Sequence, residues 1–209
     1  NDNVKMPFEA LKDGIDVYFM QIPSSSGQLW TKNQWRLFID YYTTNPIIAE
    51  TDKFPEYVKT WPESSWKKYF YKYMVEKDLY FVYPQISLST NFGDVGQHTT
   101  GESHLHQVTI NSNIKHLYKL IPISESNNIY DAYFEILPEC LLKLGFEFEH
   151  PFCIDTYLSK QNFAIEGDYV ITTNPSTENV KQYGVSLKPL MNNIIYNIHI
   201  RHYKIISFY

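Results

Sequence analysis

Apolar positions are spaced as helices and short strands in the first part of the chain and mainly as strands in the second half. Ile15 to Met20 is a β-prone apolar run that ends at Pro23 and the serines Ser24, Ser25 and Ser26, the pattern of a buried strand feeding a polar loop. After Gly27, residues Trp35, Phe38, Ile39 and Tyr42 recur at i, i+3, i+4 and i+7, which puts them on one face of a helix. Asn45-Pro46 stops it, because a residue preceding proline is pushed out of the helical region. A second helix is expected from Pro62, which suits the first helical turn, with Glu63 at the positive end. Trp66, Tyr69, Phe70, Tyr73 and Met74 then form one apolar stripe, leaving Lys67, Lys68 and Lys72 to face water. Leu79 to Tyr83 reads as a strand closed by Pro84.

A long polar stretch runs from there through Ser103, and loops of that length inside a compact domain are often functional. Strands are expected at Leu105 to Ile110, Leu117 to Ile121, Phe152 to Leu158, Tyr169 to Thr173 and Tyr183 to Leu187. One helix starts at Pro138 and closes at Gly145, and the tail from Ile194 to Tyr209 reads as paired strands. There is no internal repeat, low-complexity tract or strong linker, so residues 1–209 are expected to form one mixed α/β (α+β) domain.

Charge and composition narrow the partners. The formal net charge is −5, from 18 Lys and Arg against 23 Asp and Glu, with no basic block, which makes nucleic acid and anionic membrane poor partners. No run of 18 apolar residues is present, so no transmembrane segment is expected, and the start lacks the basic and apolar parts of a secretory signal. The chain opens Asn1-Asp2-Asn3 without an initiator methionine, and a natural start upstream is the simplest expectation. Cys140 and Cys153 lack metal-type spacing and read as reduced core thiols, which points to the cytoplasm. The 18 tyrosines suit sugar faces, since a phenol ring both stacks and donates a hydrogen bond, but they suit an aromatic core equally well.

Four segments carry candidate chemistry. Leu88 to Thr99 packs Asn91, Gly93, Asp94, Gly96 and His98 after a strand. The glycines allow close backbone approach, the carboxylate can orient a hydroxyl or act as a base, and the imidazole can touch a metal or a phosphate oxygen; a surface loop with turn glycines is the plainer account. His104 and His106 would project from one face of a strand, as a metal pair or as ordinary surface histidines. Ser24 to Trp30 offers Gly27, Gln28 and Trp30 for hydrogen bonding and stacking, or a serine helix cap with Trp30 in the core. Trp61 to Trp66 puts Glu63 at a helix start, as a base for an acceptor hydroxyl or as a partner of the helix dipole.

Taken in order, DGIDVYFMQ, SGQLWTKNQW, FPEYVKTWPESSWKKYF, DLYFVYPQISLSTNFGDVGQH, YDAYFE, IDTYLSK and GVSLKPLMNNII resemble a family of bacterial glycosyltransferases associated with surface-polysaccharide genes, some of whose relatives carry a haemolysis-related label. The motifs extend from about Asp13 to Tyr209. The resemblance implies the acceptor-side, C-terminal portion of a GT-A fold, without the nucleotide-sugar-binding half and its Asp-x-Asp motif. It implies transfer of a sugar from a nucleotide-sugar donor to a carbohydrate acceptor, with a divalent metal, Mn or Mg, in the complete enzyme and an inactive chain without the other half. Asp94 or Glu63 would take the acceptor proton, and His98 would touch the metal or the leaving diphosphate. Gly27, Gln28, Trp30, Trp66, Asn91, Gly93 and Gly96 would line the substrate. A lipid-linked acceptor would bring the enzyme to the inner face of the membrane as a peripheral partner.

A more distant similarity is to eukaryotic N-acetylglucosaminyltransferases, in which a base carboxylate follows the tryptophan matching Trp66. Here that position is Lys67, and Ser26 stands where relatives show tryptophan. Both departures put the catalytic base and part of the substrate surface in doubt. Two other classes stay open: a non-catalytic carbohydrate-binding module, and a structural partner that pairs an exposed sheet edge with another chain.

Overall fold

The computed structural model describes residues 7–25, 27–45, 47–90, 93, 95, 107–175 and 180–199, and the backbone of 206–208. These form a mixed α/β arrangement of two small sheets and five helices among the described residues. In the first sheet, β1 (Val17–Met20) lies between β2 (Phe81–Pro84), which pairs with it antiparallel, and β3 (Ile129–Tyr130), which pairs parallel. In the second, β4 (Phe152–Asp155) and β5 (Tyr169–Thr172) run parallel, while β7 (Ile206–Phe208) joins β5 to β6 (Gln182–Tyr183), antiparallel to both.

One apolar core spans both sheets. Phe19, Met20 and Ile129 from the first meet Phe152, Ile154, Ile171 and Tyr183 from the second, and Cys140 and Leu141 of helix α4 (Pro138–Lys143) pack in the same cluster. Cys140 and Cys153 are both buried free thiols, as expected, and burial pushes the Cys140 thiol up to about 11.

Two helices pack beside the first sheet. Helix α1 (Lys32–Thr44) buries Phe38 and Tyr41 against Phe70, Tyr73 and Met74 of α3 (Trp66–Glu76). Trp35, expected on the buried face, is 45% exposed at the first turn. The opposite face of α3 places Tyr71 against Phe54, Ala132 and Val58 of the single-turn α2 (Glu56–Lys59). A helix packed on two sides has little solvent face left, and this overturns the expected lysine face. Lys68 is buried, Lys72 binds Asp52 at 3.1 Å and the Ile47 carbonyl at 2.9 Å, and Lys67 lies 4.9 Å from the Trp61 ring.

Other boundaries also move. Pro62 to Ser65 forms a turn, and α3 begins only at Trp66. Leu117 to Ile121 is irregular and mostly exposed; it meets the segment before β1 at Asp16, whose amide donates to the Lys119 carbonyl at 3.0 Å and whose carboxylate accepts from the Lys119 amide at 2.7 Å, without forming a ladder. Of Leu105 to Ile110 only 107–110 is described, and it contributes a single parallel bridge between Ile110 and Ser87. The expected strand at Tyr183 to Leu187 shortens to Gln182–Tyr183, and the tail opens with a helical turn, α5 (Asn192–Ile195), before β7.

Candidate functional site

The Ser24–Trp30 loop leaves β1 and is fixed at its far end by a helix cap. Thr31 accepts a hydrogen bond from the Gln34 amide at 3.2 Å, and the Gln34 side chain accepts one from the Thr31 amide at 2.9 Å, a reciprocal capping box. Thr31, and not the serines, therefore caps α1. That anchors Trp30 one residue ahead of the cap, where its ring lies 4.7 Å from Phe70, 5.4 Å from Trp35 and 6.4 Å from Trp66. Two of the predicted substrate residues, Trp30 and Trp66, are thus brought together in one aromatic wall.

Buried polar atoms normally find partners, and orphaned ones mark places where something else belongs. Among the described residues, Trp30 Nε1 and Gln28 Oε1 are buried without a hydrogen-bond partner, as are Gln85 Oε1 and the Tyr183 hydroxyl elsewhere. Gly27, with φ of 68°, turns the same loop so that a side chain there would reach 3.9 Å from Ser89 Oγ. The two sequence segments that carry most of the expected site, Ser24–Trp30 and Leu88–Thr99, therefore meet at Gly27 and Ser89. Gly93 is buried with φ of 81°, a conformation that costs other residues strain. Asn91, Asp94, Gly96 and His98 lie outside the described residues, as do His104 and His106.

Glu63 sits in the turn before α3, so it is not in the first helical turn and the helix-dipole account does not apply. Its Oε1 accepts from Lys68 Nζ at 2.7 Å and its Oε2 accepts from the Tyr69 hydroxyl. Lys68 also donates to the Trp61 carbonyl at 3.1 Å. The Lys68 hydrogen bond, then that of Tyr69, holds the Glu63 carboxyl below its ordinary range, and the Tyr69 phenol is pushed up to about 12. A general base works best when poised near the operating pH with a free lone pair facing its proton donor. Glu63 is instead a firmly ionised, twice-engaged acceptor.

Glu63 and Lys68 open onto a cleft of about 400 Å³, whose apolar lining is Ile47, Ile48 and Ala49. Its remaining charged lining is Glu50, Glu56 and Lys59. The wall containing Ile47 is tied to α3 through Lys72, and Asp52, which holds Lys72, also accepts from the Ala49 amide at 2.8 Å.

A further polar cluster was not foreseen as a unit, although its residues lie in YDAYFE and IDTYLSK. It follows β3 and β4, at the carboxyl ends of strands that run parallel to a neighbour. Glu135 is 1% exposed and accepts from Thr156 Oγ1 at 2.8 Å and the Tyr157 amide at 2.7 Å. Asp131 binds Lys160 at 2.8 Å and accepts from the Tyr133 and Glu135 amides at 2.8 and 2.9 Å. Asp155 accepts from the Ser159 and Lys160 amides at 3.0 and 3.2 Å. Burial, then the neighbouring Asp131, pushes Glu135 up to about 8, against the pull of Lys160. The signal in the sequence was a carboxylate within each of two apolar runs, because a charge there must find a partner.

Among the described residues, no group of three or more His, Cys, Asp or Glu side chains is placed to hold a metal ion. No helix among them is long and apolar enough to cross a membrane. Comparisons with protein-family models, curated proteins and solved structures return no match to this chain.

Proposed function

We propose that the chain is the acceptor-side part of a GT-A-type glycosyltransferase, contributing one wall of a cleft in which a sugar passes from a nucleotide donor to a carbohydrate acceptor. The observation that carries this reading is the meeting of the Gly27–Trp30 loop with Ser89, beside a Trp30–Trp66 wall holding two orphaned buried polar atoms. Aromatic faces with a few convergent hydrogen-bonding groups suit a saccharide, which has apolar ring faces and an equatorial belt of hydroxyls. In this reading Asp94 takes the acceptor proton. His98 touches a Mn or Mg ion or the leaving diphosphate, and Asn91, Gly93 and Gly96 shape the closing loop. Glu63, engaged by Lys68 and Tyr69, orients the acceptor and does not take its proton.

A nucleotide-binding half is part of the proposal. In support, a cleft of about 310 Å³ beside the outer strand β2 is lined by Ile86, Ile114 and Tyr118 together with Asp16, Asn111, Asn113 and Lys115, and Val82, Leu117 and Leu120 are also exposed. Exposed apolar side chains rimmed by polar ones are what a contact with another body would cover. The reaction is placed at the cytoplasmic face of a membrane, where a lipid-linked acceptor would be presented.

The test is transfer from sugar nucleotides in the presence of Mn²⁺ or Mg²⁺, using the chain joined to its nucleotide-binding half. Asp94→Asn and His98→Ala are each expected to abolish turnover with unchanged folding, and chelation of the metal to do the same. Wild-type rates in both variants remove that loop from the mechanism. The doubly engaged Glu63 favours one alternative, a carbohydrate-binding module without turnover; glycan binding without metal-dependent nucleotide binding by the complete protein decides for it.

A further inference from the structure

We propose that the cleft beside Glu63 is a binding site for a neutral sugar, holding one ring of a glycan apart from the Trp30–Trp66 wall. The proposal rests on the saccharide reading above and gives that reading a second contact point. Its volume, about 400 Å³, falls within the range of small-molecule sites and accommodates a sugar ring together with water.

The charges select the ligand class. Two lysines and three glutamates line the cleft, and each lysine is already matched: Lys59 lies 3.4 Å from Glu56, and Lys68 lies 2.7 Å from Glu63. Glu50 remains over as a net negative charge, which repels a phosphate or a uronate. A cationic side chain finds Glu50 alone, because the buried Lys59 and Lys68 already occupy Glu56 and Glu63, and it is the rival occupant that the lysine-rich peptide below tests. Hydroxyl groups can use the remaining lone pairs of all three carboxylates. A carboxylate has about four lone-pair sites. Glu63 spends two on Lys68 and Tyr69, leaving acceptor capacity toward a diol. Lys68 has spent two of its three donors, on Glu63 and the Trp61 carbonyl. Ile47, Ile48 and Ala49 supply the apolar surface that a pyranose ring face needs.

The cleft is also held in shape before any ligand arrives. Lys72 ties the Ile47 carbonyl and Asp52 to α3, and Lys59 donates to the Glu50 carbonyl. A site fixed in this way loses little ordering entropy on binding.

The test is an NMR titration of the chain with glucose, galactose, mannose and N-acetylglucosamine, with glucuronate, inorganic phosphate and a lysine-rich peptide as charged probes. At least one neutral sugar is expected to shift the amides of residues 47–50 and 63–68, with neither anion nor peptide binding as tightly. Ile47→Trp fills the cleft from an exposed position and weakens that sugar by about tenfold or more without altering the denaturation midpoint. Ala49→Trp repeats the block from a neighbouring position. The proposal is overturned if no neutral sugar shifts these amides, if both tryptophan variants bind as the wild type does, or if a charged probe binds best. Its failure is separable from that of the transferase reading. Sugar binding lost in Ile47→Trp, with no transfer by the complete protein, sinks only the transferase; transfer with an unchanged acceptor KM in Ile47→Trp sinks only the cleft.

Discussion

Replacing Glu135 by glutamine removes a titration that the fold itself creates. The carboxyl is 1% exposed, and burial raises it from an ordinary 4.5 to about 8 in the folded chain. Between those values the folded state holds a proton that the unfolded chain releases. The stability from that proton is fully present below about pH 4.5 and is lost as pH rises through about 8. One pH unit inside the window is worth at most about 1.4 kcal/mol, so wild-type stability falls by about 2–3 kcal/mol between pH 6 and pH 8. Asp155, also raised by burial, acts in the same direction. Glutamine keeps an acceptor for the Tyr157 amide, and the Thr156 hydroxyl can turn to accept from its amide group. Urea denaturation of both proteins at several pH values, followed by near-ultraviolet circular dichroism, reads the difference directly. The wild type should lose stability from pH 6 to 8 while Glu135→Gln stays nearly level and is the more stable protein above pH 8. Parallel curves for the two would refute the reasoning and mean that Glu135 is ionised throughout, balanced by Lys160.

Five further substitutions probe the candidate site and the fold. Glu63→Ala strips the carboxylate from the buried Lys68 ammonium and is expected to lower the urea denaturation midpoint. It should also lower the Tyr69 phenol toward its ordinary range in an ultraviolet titration, and adding Lys68→Met should recover part of the loss. Trp30→Phe removes an unpaired buried N–H and keeps a ring, so it should stay within about 1 kcal/mol of wild type, while Trp30→Ala should cost about 3–5 kcal/mol. Gly167→Ala puts a methyl group 2.9 Å from the Pro151 carbonyl and the Phe152 amide at a φ of 102°, and a loss of at least about 1 kcal/mol in denaturation midpoint experiments is expected.

Local patterning carried much of this protein. The β1 run, the α1 register around Phe38, the apolar stripe of α3 and the Pro138 helix followed from periodicity, because each element buries one face and its sequence must repeat with that face. The free buried thiols were also legible as residues. Contact across the chain was not. That α3 is packed on both sides, turning Lys68 inward to Glu63, depends on where residues 47–58 return, and no window of sequence contains that information. Leu117 to Ile121 has the composition of a strand, yet among the described residues its backbone meets a neighbour at Lys119 and Asp16, with one of the two hydrogen bonds made to a side chain, and no ladder forms. The Asp131–Glu135–Asp155–Lys160 cluster joins two segments about twenty residues apart, one following β3 of the first sheet and one following β4 of the second. Sequence set which faces must be buried; tertiary structure decided which charges had to meet, since burial energy is local to a face while pairing energy depends on what the fold brings opposite it.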